Sequence, residues 1–157
     1  MGRMYTVQFN DVAVTVAVDF FDLAPAAESP IIIHAIFISQ NTEVGDAAEE
    51  MLTVRVIRGF ATVGSGGAAA TPVQANENDA GALFTARTND TTIAVVGAGA
   101  TEIFHSEAFN VRTGWVYIPT PEMRPICTLT KTRIVVQLKS APADSVTFSG
   151  TCYVEEI

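Results

Sequence analysis

The sequence is poor in the residues that most catalytic and metal sites need. Its 157 residues include two histidines, two cysteines and one tryptophan. Cys127 and Cys152 are too few for a disulfide framework and too far apart for a zinc knuckle, so two buried thiols are the default and their pairing is left open. Positive charge is scarce as well: nine Lys and Arg against seventeen Asp and Glu give a net charge of −8. A nucleic-acid partner is therefore not expected, because neutralising phosphates takes a basic footprint. No apolar run approaches the roughly 20 residues of a bilayer span, so no membrane partner is expected either. The amino end has no long apolar region or small-residue cleavage site and runs straight into an alternating pattern, which points to cytoplasmic synthesis.

What is abundant is apolar residues in short runs, 48% of the chain, enough for the core of one domain over residues 1–157. Period-two alternation dominates, with many β-branched residues. The clearest case is residues 145–155, where Val146, Phe148, Gly150, Cys152 and Val154 alternate with Thr147, Ser149, Thr151, Tyr153 and Glu155. Similar strands are predicted at 5–9, 12–20, 52–58, 103–111, 115–118 and 133–138, with a weaker one at 92–96. Residues 31–38, Ile-Ile-Ile-His-Ala-Ile-Phe-Ile, look apolar on both faces, as in a central strand or one at an interface between subunits. Asn10-Asp11, Ala24-Pro25, Ser29-Pro30, Asn89-Asp90, Thr113-Gly114 and Ala141-Pro142 read as turns, and only 46–51 suits a helical turn. The expectation is an all-β fold: an antiparallel two-sheet β-sandwich, jelly-roll-like, of eight or nine strands. Residues 61–82, rich in Gly and Ala, read as one long loop that reaches a neighbour or simply moves at the surface.

Motifs for chemistry fail one by one. Gly64-Ser65-Gly66-Gly67-Ala68-Ala69 fits the dinucleotide fingerprint by letter, but Pro72 and the lack of a helical period deny it the helix whose amino end meets the pyrophosphate. With His34 and His105 alone, a cupin-type metal enzyme lacks its ligands, and His34 between Ile33 and Ala35 reads as a hydrogen-bonded packing residue. The Asn76–Gly81 stretch resembles a calcium loop, yet Ala80 and Arg87 stand where ligands belong. Glu43, Asp46, Glu49 and Glu50 read as a solvated acidic loop, not a general acid and base. Asn89-Asp90-Thr91 matches a glycosylation sequon that means little without a secretory signal. Trp115 and Tyr117 form either a sugar platform or, more in keeping with their alternation, part of the core. No catalytic, cofactor or metal site is assigned.

Two groups of candidate contact residues remain. Between positions 112 and 139 five bases, Arg112, Arg124, Lys131, Arg133 and Lys139, face one acid, Glu122, within an otherwise acidic chain. They are candidates for docking on an acidic partner, against the plainer reading of scattered solvated charges. Ile32, Ile36 and Ile38 are candidates for contact between copies.

Three stretches look familiar together: Gly45-Asp46-Ala47-Ala48-Glu49-Glu50-Met51-Leu52 leading to Ile57-Arg58-Gly59; Phe109-Asn110-Val111-Arg112 through Pro119-Thr120-Pro121-Glu122-Met123-Arg124-Pro125; and Gly150-Thr151-Cys152-Tyr153-Val154-Glu155-Glu156. They resemble a family of small structural proteins of tailed bacteriophages and prophages, over most of the chain. The resemblance implies a virion role, foremost a head decoration or cement protein on the capsid exterior, with the major capsid protein and its own copies, a trimer by preference, as partners. It carries over no functional residue. The alternatives are a carbohydrate-binding module or tail appendage, and an undetected hydrolase.

Overall fold

In a computed structural model, residues 2–42, 50–97 and 99–157 are described. Their regular structure is fourteen strands and one 3-10 turn at Pro121–Met123. The strands are β1 (Arg3–Val14), β2 (Asp19–Ala24), β3 (Ile31–Gln40), β4 (Met51–Arg58), β5 (Phe60–Thr62), β6 (Ala68–Ala70), β7 (Val73–Gln74), β8 (Thr85–Asp90), β9 (Val95–Val96), β10 (Glu102–Asn110), β11 (Trp115–Tyr117), β12 (Ile126–Cys127), β13 (Ile134–Leu138) and β14 (Val146–Glu156). All ladders are antiparallel. Sheet A has the order β11-β3-β14-β1-β7, with β12 also on β3; sheet B has the order β10-β4-β13-β2-β8-β6; and β5 and β9 form a separate ribbon.

The alternation seen in the sequence explains how the sheets meet. In β14, Val146, Phe148, Gly150, Cys152 and Val154 are all buried, as their period-two spacing requires. Tyr5, Val7 and Ile36 of sheet A share one apolar cluster with Phe21, Val54 and Val136 of sheet B. Phe20 meets Phe148 edge-on at 5.2 Å between ring centres, and Phe9 lies 5.3 Å from Phe21, so aromatic contacts bridge the layers. Each such ring, fully buried, contributes roughly 1.5–3 kcal/mol of transfer free energy.

Five expectations need correction. The Asn10-Asp11 turn is a bulge within a continuous β1: the register against β14 shifts between Phe9 and Val12, and Asp11 takes φ 51°. The strand expected at 12–20 is therefore divided between the end of β1 and the start of β2. Asn89-Asp90 is likewise part of a strand, β8.

The 31–38 run is not covered alike on its two faces. A register shift against β14, where Tyr153 pairs with Ala35 but Val154 pairs with Ile33, changes the phase of the alternation at His34. As a result Ile31, Ile33, Ile36 and Ile38 all reach the core, and Phe37 on the other face is exposed.

Residues 61–82 are not one loop. β6 pairs with β8 on the edge of sheet B, β7 pairs with Tyr5 and Thr6 on the edge of sheet A, and the Tyr5 hydroxyl donates to the Ala80 carbonyl at 2.8 Å. The small residues serve close approach here: a Cβ on Gly67 would lie 2.1 Å from the Thr88 carbonyl oxygen. The predicted helical turn at 46–51 lies mostly outside the described residues, and its last residue, Met51, opens β4.

Candidate docking surface

The five basic candidates do not share a surface. Along the β4–β10 ladder Glu102 pairs with Arg58 and Asn110 with Met51, so the two ends of β10 are roughly 25 Å apart at ~3.3 Å per residue. Lys131 is at the Glu102 end, with Nζ 2.6 Å from the Glu102 carboxylate. Arg124 precedes Pro125, whose carbonyl accepts from Ile33 N at the same end of the molecule, where Arg58 donates to the Ile126 carbonyl. Arg133 Nε lies 3.1 Å from Asp22 Oδ1, near enough for an ion pair although off the line of a hydrogen bond. Lys131 and Arg133 are thus neutralised within the chain. Arg112 and Lys139 are exposed at the opposite end, Arg112 just past β10 and Lys139 donating its backbone N–H to Thr53 at the start of β4.

The isoleucine candidates also separate. Ile36 and Ile38 are buried in the chain's own core, so they offer no surface to a second copy. Ile32 is half-buried and pairs in register with the exposed Ile126 of β12.

The outer face of sheet A has an apolar strip the sequence reading missed. Val116 of β11 pairs with Phe37 of β3, whose ring meets that of Tyr153 of β14 edge-on at 5.9 Å. These side chains are 56%, 38% and 39% exposed, on a face that elsewhere carries Thr6, Thr151 and the His34–Glu155 pair. The pair holds at 2.7 Å, and the His34 hydrogen bond keeps the Glu155 carboxyl below the usual range. His34 is hydrogen-bonded as expected, on a sheet surface. The alternation would have revealed the strip only to a reader who knew where the bulge reverses it.

Trp115 and Tyr117 point inward at the edge between the sheets, 3% and 8% exposed, with rings stacked 5.8 Å apart. Trp115 Nε1 donates to Glu107 at 3.0 Å, and the His105 ring lies 4.5 Å from Tyr117. Their faces are covered, so they are packing residues and not a platform for sugar.

The largest surprise is a buried acidic layer on the outer face of sheet B. The β5–β9 ribbon and its flanking turns cover this face, with Ile57, Phe60, Ala94 and Val135 forming a second small core. Beneath lie Asp19, Asp22 and Asp90, all buried. Asp19 accepts from Ala94 N at 2.6 Å and from Gln137 Nε2 at 3.0 Å. Asp90 accepts from Gly67 N and from two nitrogens of Arg87. Asp22 faces Gly64 N and Arg133. Burial pushes the Asp19 carboxyl up to about 6 against these hydrogen bonds, and also raises that of Asp22. Each carboxylate receives a backbone N–H of the cover, so the layer anchors the covering segment.

Among the described residues no group of three or more His, Cys, Asp or Glu is placed to hold a metal ion. Glu50 accepts from Ala143 N, and Glu43, Asp46 and Glu49 lie outside the described residues. The dinucleotide-like Gly64–Ala69 segment runs into strand β6. Asn76 Oδ1 accepts from Asn78 of its own turn. No helix among the described residues is long and apolar enough to cross a membrane. No family model matches the chain, and neither does any curated protein or solved structure.

Proposed function

We propose that this chain is a structural docking protein of a tailed-phage virion, a decoration or cement protein that binds the major capsid protein on the head exterior. The observation that carries the reading is the exposed Val116–Phe37–Tyr153 strip: three large apolar side chains set side by side on the outer face of sheet A, as at a protein-binding surface. The strip docks on the shell, and the exposed Arg112 and Lys139 steer the approach to an acidic surface. Ile32 and Ile126, adjacent on β3 and β12, form the contact between copies in a trimer. Lys131, Arg133, Ile36 and Ile38 are engaged within the chain and are not part of the surface.

We also infer a jelly roll. Of the fourteen strands, eight principal ones support it: β11-β3-β14-β1 in sheet A and β10-β4-β13-β2 in sheet B. Along the chain these eight alternate between sheets except at the β4 to β10 step, the pattern of two nested Greek keys. The β5–β9 ribbon, β6, β7 and β8 belong to the long insertion at that step.

Electron microscopy of purified virions of the phage that encodes the chain tests the function. Density for it is expected on the head, with sheet A against the shell. Phe37→Glu combined with Tyr153→Glu is expected to strip it from the head while leaving the fold intact, since both side chains face solvent. Density at the tail tip alone would favour an appendage, and its absence from the particle would end the virion reading.

A further inference from the structure

β10 forms one rim of sheet B, where it pairs with β4 alone, and its nine residues include no Lys, Arg or Pro. A free edge of this length offers a row of unpaired backbone groups to any strand that meets it, and natural edges are usually short or guarded by Lys, Pro or a bulge. The bulge of β10 lies near its start, where the register against β4 shifts between Ile103 and His105, so His105 to Phe109 is regular. Ser106, Glu107 and Ala108 are all exposed.

The ladder itself tells which backbone groups are free. Residues of an antiparallel strand alternate between exchanging hydrogen bonds with the partner strand and turning away from it. Val111 N donates to the Glu50 carbonyl, one step beyond the pairing of Asn110 with Met51. Phe109, Glu107 and His105 therefore bond to β4, and Ser106 and Ala108 turn their N–H and C=O groups outward. The far side of β4 agrees, since Thr53, the residue opposite Ala108, accepts from Lys139 N instead. Among the described residues no other strand or turn takes up the outward groups of Ser106 and Ala108.

The side chains on this edge complement themselves. His105 and Glu107 share a face with the buried Val56 and Val54 opposite them, yet they are 31% and 51% exposed, because the sheet ends there. His105 Nε2 lies 3.2 Å from Glu107 Oε2, and Trp115 Nε1 holds the same carboxylate at 3.0 Å. Inward-facing charges ordinarily guard an edge, because most incoming strands leave them unpaired. A carboxylate and an imidazole two residues apart are different, since an antiparallel copy of the same strand brings each a partner.

We propose that β10 is a docking edge for a second copy of this chain, paired antiparallel about a two-fold axis at Ser106, so that sheet B runs on from one copy into the other. In this register Ser106 meets Ser106 of the second copy and exchanges both backbone bonds with it. His105 of each copy then lies opposite Glu107 of the other, at the closely spaced positions where cross-strand side chains meet. An axis at Glu107 would set carboxylate against carboxylate, and an axis at His105 would set imidazole against imidazole beside the bulge. An axis between residues would face outward groups with inward ones and lose the bonds. The contact is one strand wide, less than a standard interface, so it forms at higher concentration than the Ile32 and Ile126 contact and independently of any role on a particle.

Amide hydrogen exchange of the full ¹⁵N-labelled chain reads this pairing directly. Exchange at Ser106 is expected to be at least about tenfold slower at about 1 mM than at about 10 µM, while His105 and Glu107, bonded to β4 throughout, change little. His105→Glu is expected to abolish that difference. Adding unlabelled Glu107→Lys to labelled His105→Glu is expected to restore it, because the mixed pair is complementary at both positions. Ser106→Pro removes an outward N–H that the edge of the fold does not use, and is expected to remain folded while losing the rise in sedimenting mass over the same range. Phe37→Glu with Tyr153→Glu is expected to leave Ser106 protected, which separates this contact from docking through the outer face of sheet A. Exchange at Ser106 that ignores concentration overturns the proposal. So does a His105→Glu chain that pairs like the wild type, a mixture that restores nothing, or a Ser106→Pro chain that still gains mass.

Discussion

A Cβ placed on Gly150 would lie 2.7 Å from Phe9 Cε1 and 2.9 Å from Ile38 Cδ1, so this β14 position is too close to its neighbours for any side chain. Gly150→Ala is expected to cost about 1–3 kcal/mol by overpacking, read as a lower urea midpoint with an unchanged slope. Asp19 supplies the pH dependence. Its carboxyl, ordinarily near 3.8, is pushed up to about 6 in the folded chain, chiefly by burial. The folded state therefore holds the Asp19 proton more tightly than the unfolded state, and stability falls as pH rises through this interval. Asp22 is shifted the same way. Glu107 and Glu155 are shifted down, by the Trp115 and His34 hydrogen bonds first, and their contribution is lost only below the ordinary carboxylate range. Acidification from pH 7 to 5 is thus expected to stabilise the chain by about 1–3 kcal/mol, and Asp19→Asn to flatten that slope. A chemical-denaturation series across pH that shows wild type and variant running parallel would exclude Asp19 as the source.

Among elements, the small strands of the insertion depend on the acidic layer. Arg87 holds Asp90 in a two-nitrogen clamp, and Asp90 in turn accepts from Gly67 just before β6. Arg87→Ala leaves a buried carboxylate with one backbone donor, so a loss of about 1.5–3 kcal/mol is expected. Hydrogen exchange should quicken at β6 and β8 before it does in β14. Uniform quickening would instead place Arg87 in the global core. The same elements show why part of the fold was hard to read. β14 faces water on one side, so its polar residues mark the outside and its spacing could be read directly. β2 and β8 carry Asp19, Asp22, Arg87 and Asp90 on a face that the ribbon covers, and polarity there no longer signals solvent.

For the whole molecule, both thiols are free and buried, and burial raises the Cys127 thiol to about 11 and that of Cys152 further still. Neither is expected to react with a thiol reagent in the native state, and both should react on unfolding. Rapid labelling of native protein would mean that an opening exposes the core. Assembly is a property of this scale too. Sedimentation at micromolar concentration is expected to give a trimer that Ile32→Glu with Ile126→Glu converts to monomer. A monomer both free and on the particle would remove the trimer from the functional reading.

Alternation in β4 and β14 was sufficient in the sequence to establish strands with one buried face and to pick out most of their inward-facing residues. These properties are local, because a strand repeats every two residues whatever its neighbours do. Tertiary structure alone decided the phase of β3, since a bulge at His34 sends Ile36 and Ile38 inward and Phe37 outward. It also decided that bases close in sequence lie at opposite ends of β10, because a nine-residue strand separates what a linear count groups together. The acidic layer beneath the ribbon depends on segments distant in sequence closing over one another. Burial of that kind is a property of the packed chain and has no local pattern to announce it.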